Sequence, residues 1–264
     1  MRIRKANKKR KIVLLLILLV TFTVSGILAV QKIAEIKAGS DSYEYSLTVA
    51  GLELEIESES HTNIEEAAEQ EMQLIQTFDL EALKAANEDV MGWILIPGAG
   101  ISYPLLDGDD NSYYLNTTWD LKKNKMGSIF LEQQCSSDLE DFNTIVYGHN
   151  MRSEAMFSNL KWYLDDVFWK EAPYVYIADE NHVRKYSIFA AYQVSVNGHA
   201  FLINLGDDND KKEFIKSSVD MSVFNAGIVP SVNDKILTLS TCTGDGHEKR
   251  TIVQAVLTSE YKPS

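Results

Sequence analysis

Residues 12–30, IVLLLILLVTFTVSGILAV, run for nineteen residues without a charge, and no other feature limits the fold of this chain as much. As a helix the run would be about 28 Å long at ~1.5 Å per residue, close to the thickness of a bilayer's hydrocarbon core. The preceding residues, MRIRKANKKRK, hold seven Lys or Arg and no acid. The whole chain carries −13, so the remainder without that cluster carries −20. Basic flanks stay in the cytoplasm. The expectation is therefore a single-pass cell-membrane protein, with residues 1–11 as a cytoplasmic tail, 12–30 as the transmembrane anchor and the acidic bulk outside. The alternative is a cleaved signal peptide. Its apolar region would run about 7–15 residues and end at a small-x-small site, which VSGILA fits poorly.

An acidic ectodomain excludes nucleic acid as a partner, because neutralising phosphates takes Lys and Arg. A hydrophobic share of 45%, with 10% aromatic, supports a packed core. Residues 31–62 are polar and acidic with little sustained period, and read as a juxtamembrane stalk that is helical at most in part. Residues 63–88 read as N-terminal helices. Ile64, Ala67, Ala68, Met72, Ile75 and Phe78 recur at helical spacing. Asp79 can N-cap a second short helix, LEALKAAN.

From residue 89 to 260 the texture changes. Short apolar or β-branched runs alternate with turn residues: GWILIPG, ISYPLL, GSIFLE, NTIVYG, YVYIAD, VRKYSIFAAYQVSV, KILTLSTC and RTIVQAVLTS. The pattern predicts a mainly β domain, closed or sandwiched, with antiparallel pairing. Two helical inserts are expected, one around Met156, Leu160, Tyr163, Leu164 and Val167, the other over 210–221. The second lies inside a long connection from Asn197 to Asp234, a length that often marks a binding loop.

The chain has two cysteines, Cys135 and Cys242. Cys242 closes the run ILTLSTC, at a strand end where a side chain can face a cleft. A thiolate is the nucleophilic form, and an ordinary thiol is mostly protonated at neutral pH. A reactive Cys242 therefore needs a base or a fixed positive charge. Arg250 follows eight residues later. If TGDGHEK turns the chain back, its planar guanidinium comes beside the strand end and suits a developing oxyanion. Of the five histidines, His61 and His182 fall in polar segments and His199 in the long connection. His247 lies in the turn after Cys242. His149 ends the run TIVYGH, and a strand end holds a side chain rigidly yet within reach. Position favours His149 over His247 as the partner of Cys242. Spacing alone leaves open that Cys242 is an inert buried thiol. Cys135 reads as a bystander. No cluster has metal-ligand spacing, and the acidic turn DGDDN reads as solvated charge rather than a calcium loop.

TLSTCT with an Arg eight residues on, NTIVYGHNM with MF and L following, EDVMGWILIPGAGISYPLLDGDDNSYYLNTTWD, and KMGSIFLE together resemble the sortases, membrane-anchored cysteine transpeptidases of Gram-positive bacteria, and their class B in particular. The likeness runs in order over about residues 87–258. It implies an eight-stranded sortase-type β-barrel with helical inserts, preceded by N-terminal helices and one transmembrane helix. It implies Cys242 as nucleophile, His149 as general acid and base, and Arg250 as oxyanion stabiliser or peptide-positioning group. Substrate contacts would fall on Asn111, Leu115, Ser240 and Thr243. The implied partners are secreted proteins with a C-terminal sorting motif and a peptidoglycan precursor or other amine acceptor, with no cofactor and no metal. Two other functions fit the residues taken alone: a non-enzymatic surface-binding module, and a purely hydrolytic cysteine peptidase.

Overall fold

A computed structural model describes residues 2–52, 70, 73, 75–242 and 248–262, with the backbone alone for residues 2–11 and Cys242. Helix α1 (Arg2–Val49) is continuous from the basic tail through the apolar run and beyond. Among the described residues it is the one helix long and apolar enough to cross a membrane. The start of the expected stalk thus belongs to the same helix. Its last turns are amphipathic in effect, because Gly39, Ser42, Tyr43, Ser46 and Ala50 are buried against the domain. Trp119 Nε1 donates to Ser42 O at 2.9 Å and Asn124 Nδ2 to Glu35 O at 2.8 Å. Most of the helix expected over 63–78 lies outside the described residues. Helix α2 (Leu80–Ala86) follows, N-capped by Asp79, whose carboxylate accepts from Ala82 N at 2.9 Å.

Eight strands close into a barrel: β1 (Val90–Ile96), β2 (Ile101–Leu106), β3 (Ile129–Leu131), β4 (Asn143–His149), β5 (Tyr174–Asp179), β6 (Val183–Ser195), β7 (Ile236–Cys242) and β8 (Lys249–Tyr261). The order around it is β1-β2-β3-β4-β7-β8-β6-β5. All eight apolar runs are strands. The expected antiparallel pairing holds for six of the eight contacts, but β2–β3 and β4–β7 are parallel. Parallel neighbours need a long crossover. The segments between β2 and β3, and between β4 and β7, supply it.

β7 is buried on both faces. Leu237 and Leu239 pack with Val253 and Ala255 in the main core. Ile236, on the other face, joins Ile252, Val256, Phe214 and Ile215 in a second cluster under helix α3 (Asp208–Met221). A buried polar chain fastens this covering to the barrel. Thr238 Oγ1 donates to Asn143 Oδ1 (2.6 Å) and accepts from Gln254 Nε2 (3.0 Å). Tyr192 OH donates to Gln254 Oε1 (2.9 Å) and lies 3.1 Å from His199 Nε2.

The helix expected around 156–167 is instead a pair of 3-10 segments, Ser158–Leu164 and Phe168–Lys170. Glu154 and Met156 have positive φ. The Ser158 hydroxyl lies 2.5 Å from Met151 N and 2.6 Å from Ala155 O. Such local bonds compete with helical ones and tighten the turn.

Candidate active site

The parallel ladder β4–β7 sets its last two residues side by side, with the Cα of His149 partnered to that of Cys242. The antiparallel ladder β7–β8 pairs Ser240 with Ile252, and Thr251 N donates to Thr241 Oγ1 at 3.0 Å. Two residues beyond the last pair of that ladder, Arg250 of β8 lies at the same end of the barrel as Cys242. Neighbouring strands lie ~4.8 Å apart, so His149 and Cys242 are adjacent at this rim, with Arg250 at the start of the next strand in the same row. Sequence separation hides this row, since 92 residues lie between His149 and Cys242. His247 and Thr243 lie outside the described residues.

His149 is half-buried, and two backbone segments converge on the Nε2–Cδ2 edge of its ring. Its Nε2 lies 2.7 Å from Leu115 O. A carbonyl only accepts, so Nε2 donates, and in the neutral ring Nδ1 is left as the acceptor. Against the adjoining Cδ2 runs the backbone of Gly127, at φ +61°. A Cβ there would stand 2.8 Å from His149 Cδ2, 2.8 Å from Leu115 O and 2.6 Å from Tyr114 O. Only glycine allows this approach and this φ together.

The clamp is itself braced by the end of α1. Tyr43 OH donates to Gly127 O at 2.5 Å. The Tyr43 ring meets Tyr103 edge-on at 5.2 Å. Tyr103 OH accepts from Met156 N at 3.0 Å, and Phe157 N donates to His149 O at 3.0 Å. Tyr43 thus holds the Gly127 segment directly and reaches the 156–157 segment through Tyr103.

Beside the row runs a second group. Tyr147 is the Cα partner of Ser240. Its hydroxyl donates to Glu132 Oε2 at 2.8 Å, and Asn111 Nδ2 lies 2.7 Å from each oxygen of the same carboxylate. Gln133 N donates to Asn111 Oδ1 at 2.9 Å. The fold therefore brings Asn111 and Ser240 to one wall, with the buried Glu132 carboxylate between hydrogen-bond donors. Ser240 is fully buried, and its Oγ has no hydrogen-bond partner among the described residues. Leu115 is half-buried, and its carbonyl is the one that holds His149. Phe201, from the long connection, stacks on Tyr147 at 6.5 Å. Sequence reasoning missed Tyr43, Gly127, Glu132 and Tyr147. The Gly between KM and SI was a visible signal for the clamp; the other three carried none.

Cys135 is apart from this site. It is buried, its thiol is pushed up to about 11 by burial, and its Sγ accepts from Ile145 N at 3.4 Å. Among the described residues no group of His, Cys, Asp or Glu could hold a metal ion.

The family model described as Sortase domain matches residues 94–258. Among curated proteins, the chain is 33% identical over 186 residues to Sortase B of Listeria monocytogenes, covering 69% of this chain and 75% of that one. It is 32% identical to Sortase B of Staphylococcus aureus over 179 residues, with 66% and 72% covered. Among solved structures, a Staphylococcus aureus sortase B–substrate complex aligns with TM-score 0.72 at 25% identity, covering 86% of this chain and 99% of that one. Sortase B of Clostridium perfringens aligns with TM-score 0.64 at 31% identity, over 69% and 100%.

Proposed function

Because the chain belongs to the sortase family, and within it to the class B cysteine transpeptidases, we propose that its chemistry runs along the row His149–Cys242–Arg250. That row, set by the registers of β4, β7 and β8, is the observation that carries the assignment. Cys242 is the nucleophile. Its sulfur attacks the scissile carbonyl of a C-terminal sorting motif, the carbonyl π-pair moves to oxygen, and Arg250 faces the oxyanion with a fixed planar charge. The tetrahedral intermediate collapses, the C–N bond breaks, and the thiol's proton passes through His149 to the departing amine. A thioacyl enzyme remains. An acceptor amine then attacks the thioester, His149 takes its proton, and sulfur leaves. The thioester conserves the acyl group's reactivity, which suits transfer rather than hydrolysis.

Asn111, Leu115, Ser240 and Thr243 contact the sorting peptide in this reading. Glu132 and Tyr147 act through Asn111, holding its amide in place. Helix α1 anchors the enzyme with its basic tail in the cytoplasm and the barrel outside. The acceptor there is an amine of a peptidoglycan precursor.

The test is product analysis with a sorting-motif peptide, with and without an oligoglycine or diaminopimelate-type amine. The expected result is an amine-dependent ligation product that disappears in Cys242→Ala and His149→Ala and persists in His247→Ala. Turnover in His149→Ala with loss in His247→Ala would reverse the assignment of the base.

A further inference from the structure

The domain carries most of its negative charge away from one small basic loop, and that loop is fastened to the anchor helix. The segment LKKNKM, residues 121–126, holds Lys122, Lys123 and Lys125, all exposed, and no acid. At its centre Asn124 is buried and donates to Glu35 O at 2.8 Å. Next to it, Met126 packs on Gly39, where a Cβ would come within 3.1 Å of its thioether. These contacts fix the height of the loop. Glu35 is five residues past Val30, the end of the apolar run. At ~1.5 Å per residue that is about 7.5 Å above the hydrocarbon, and the headgroup layer is roughly 5–7.5 Å deep on each side. The loop therefore meets α1 at the outer edge of the headgroups, inside a Debye length of ~8 Å.

Charges on the two elements at this level favour anions. Lys32 and Lys37 of α1 are exposed and flank Glu35. Lys122 pairs with Asp120 at 2.6 Å. That pair sits higher, beside Ser42, at the level of the exposed Asp41 and Glu44 of α1. At the level of Glu35, Lys32, Lys37, Lys123 and Lys125 against Glu35 leave +3, within a chain portion that totals −20. We propose that Lys123 and Lys125, with Lys32 and Lys37, form a docking surface for the phosphates of anionic phospholipids in the outer leaflet. The surface seats the barrel on the membrane at a set height and keeps its site at one distance from the bilayer. The proposal rests on α1 being the membrane anchor.

The test uses the full wild-type chain in vesicles of phosphatidylcholine alone or mixed with phosphatidylglycerol. Lysines are footprinted with a membrane-impermeant amine reagent and quantified by peptide mass spectrometry. The expected result is labelling of Lys123 and Lys125 slowed by about fivefold in the phosphatidylglycerol vesicles, the shift that the attraction of one lysine to an anionic surface gives. The difference should vanish in ~1 M salt, where the Debye length is about 3 Å. Lys161 and Lys216, exposed on other elements, should label equally in both. Equal rates at Lys123 and Lys125 in the two lipids, with the protein retained after an alkaline wash, would overturn the proposal. So would equal slowing of every lysine, which reports exclusion of the reagent, or slowing only when a pyrophosphate-linked cell-wall precursor is added. Protein lost in the alkaline wash would instead refute the anchored reading, and the proposal with it.

Discussion

Replacing Gly127 by alanine tests the histidine clamp with a single methyl group. The Cβ would stand 2.6 Å from Tyr114 O, and 2.8 Å from both Leu115 O and His149 Cδ2. Ordinary contact begins at 3.4 Å, so the neighbours must retreat by about 0.6–0.8 Å to reach it. Two of them are backbone carbonyls, which yield little. Leu115 O is also the acceptor for His149 Nε2, so the ring is displaced directly and through its hydrogen bond. A misplacement of ~1 Å can cost about 100-fold in rate, which puts the expected loss in kcat/KM at about 10- to 100-fold. Stability falls as well: ~1–2 kcal/mol for the left-handed backbone and about 1–3 kcal/mol for the overlap. Gly100 provides the control. It has φ +63° and nothing within 4 Å of its would-be Cβ, so Gly100→Ala carries the backbone cost without the collision. The assay is cleavage of a quenched sorting-motif peptide, well below the melting temperature of both variants. Full activity in Gly127→Ala, or a loss no larger than in Gly100→Ala, would refute the clamp.

Other consequences follow from the same contacts. Tyr43→Phe removes the hydroxyl that holds Gly127 O; it should lower kcat by about 3- to 10-fold with KM nearly unchanged and cost about 1–2 kcal/mol, and an unchanged kcat at that stability loss would make Tyr43 merely structural. His199 is half-buried, and desolvation lowers its pKa below the ordinary ~6.5. The unfolded chain then binds more protons in the window from about 6.5 down through the depressed folded value, so stability falls with pH there. His199→Gln should flatten the decline in melting temperature between about pH 7 and 5; an unaltered slope would assign the decline to other groups. Cys135, its thiol pushed up to about 11 by burial, stays in the unreactive thiol form at neutral pH. Native alkylation should therefore modify one cysteine, at Cys242, and denatured protein two; early modification of Cys135 would contradict its burial.

The strands were legible because their β-branched and apolar runs are short and stopped by Gly, Pro, Asn and Asp. Asp79 announced α2, as a capping residue ahead of LEALKAA should. Pairing was less legible. Nothing local in TIVYGH or LTLSTC states that β4 and β7 run parallel, because their contact depends on a crossover that carries β5, β6 and α3. His149 could be favoured by its strand end, but its seat beside Cys242 is a property of register. The 156–167 region shows the limit of helical spacing: Ser158 bonds to Met151 N and Ala155 O, and local bonds override the period. The continuation of α1 to Val49 was hidden for a different reason. Ser42 and Tyr43 look like polar linker residues, and only the domain packed against α1 gives them partners, Asp120 and the Gly127 carbonyl.

The central claim is that Cys242 carries the acyl group. Its most direct measurement is intact-mass and peptide mass spectrometry of the full chain, quenched during turnover of a sorting-motif peptide without added amine. The predicted result is an adduct with the mass of the motif's N-terminal fragment, mapped to Cys242 and discharged when an acceptor amine is supplied. An adduct on Cys135, or peptide cleavage that continues in Cys242→Ala, would contradict the account.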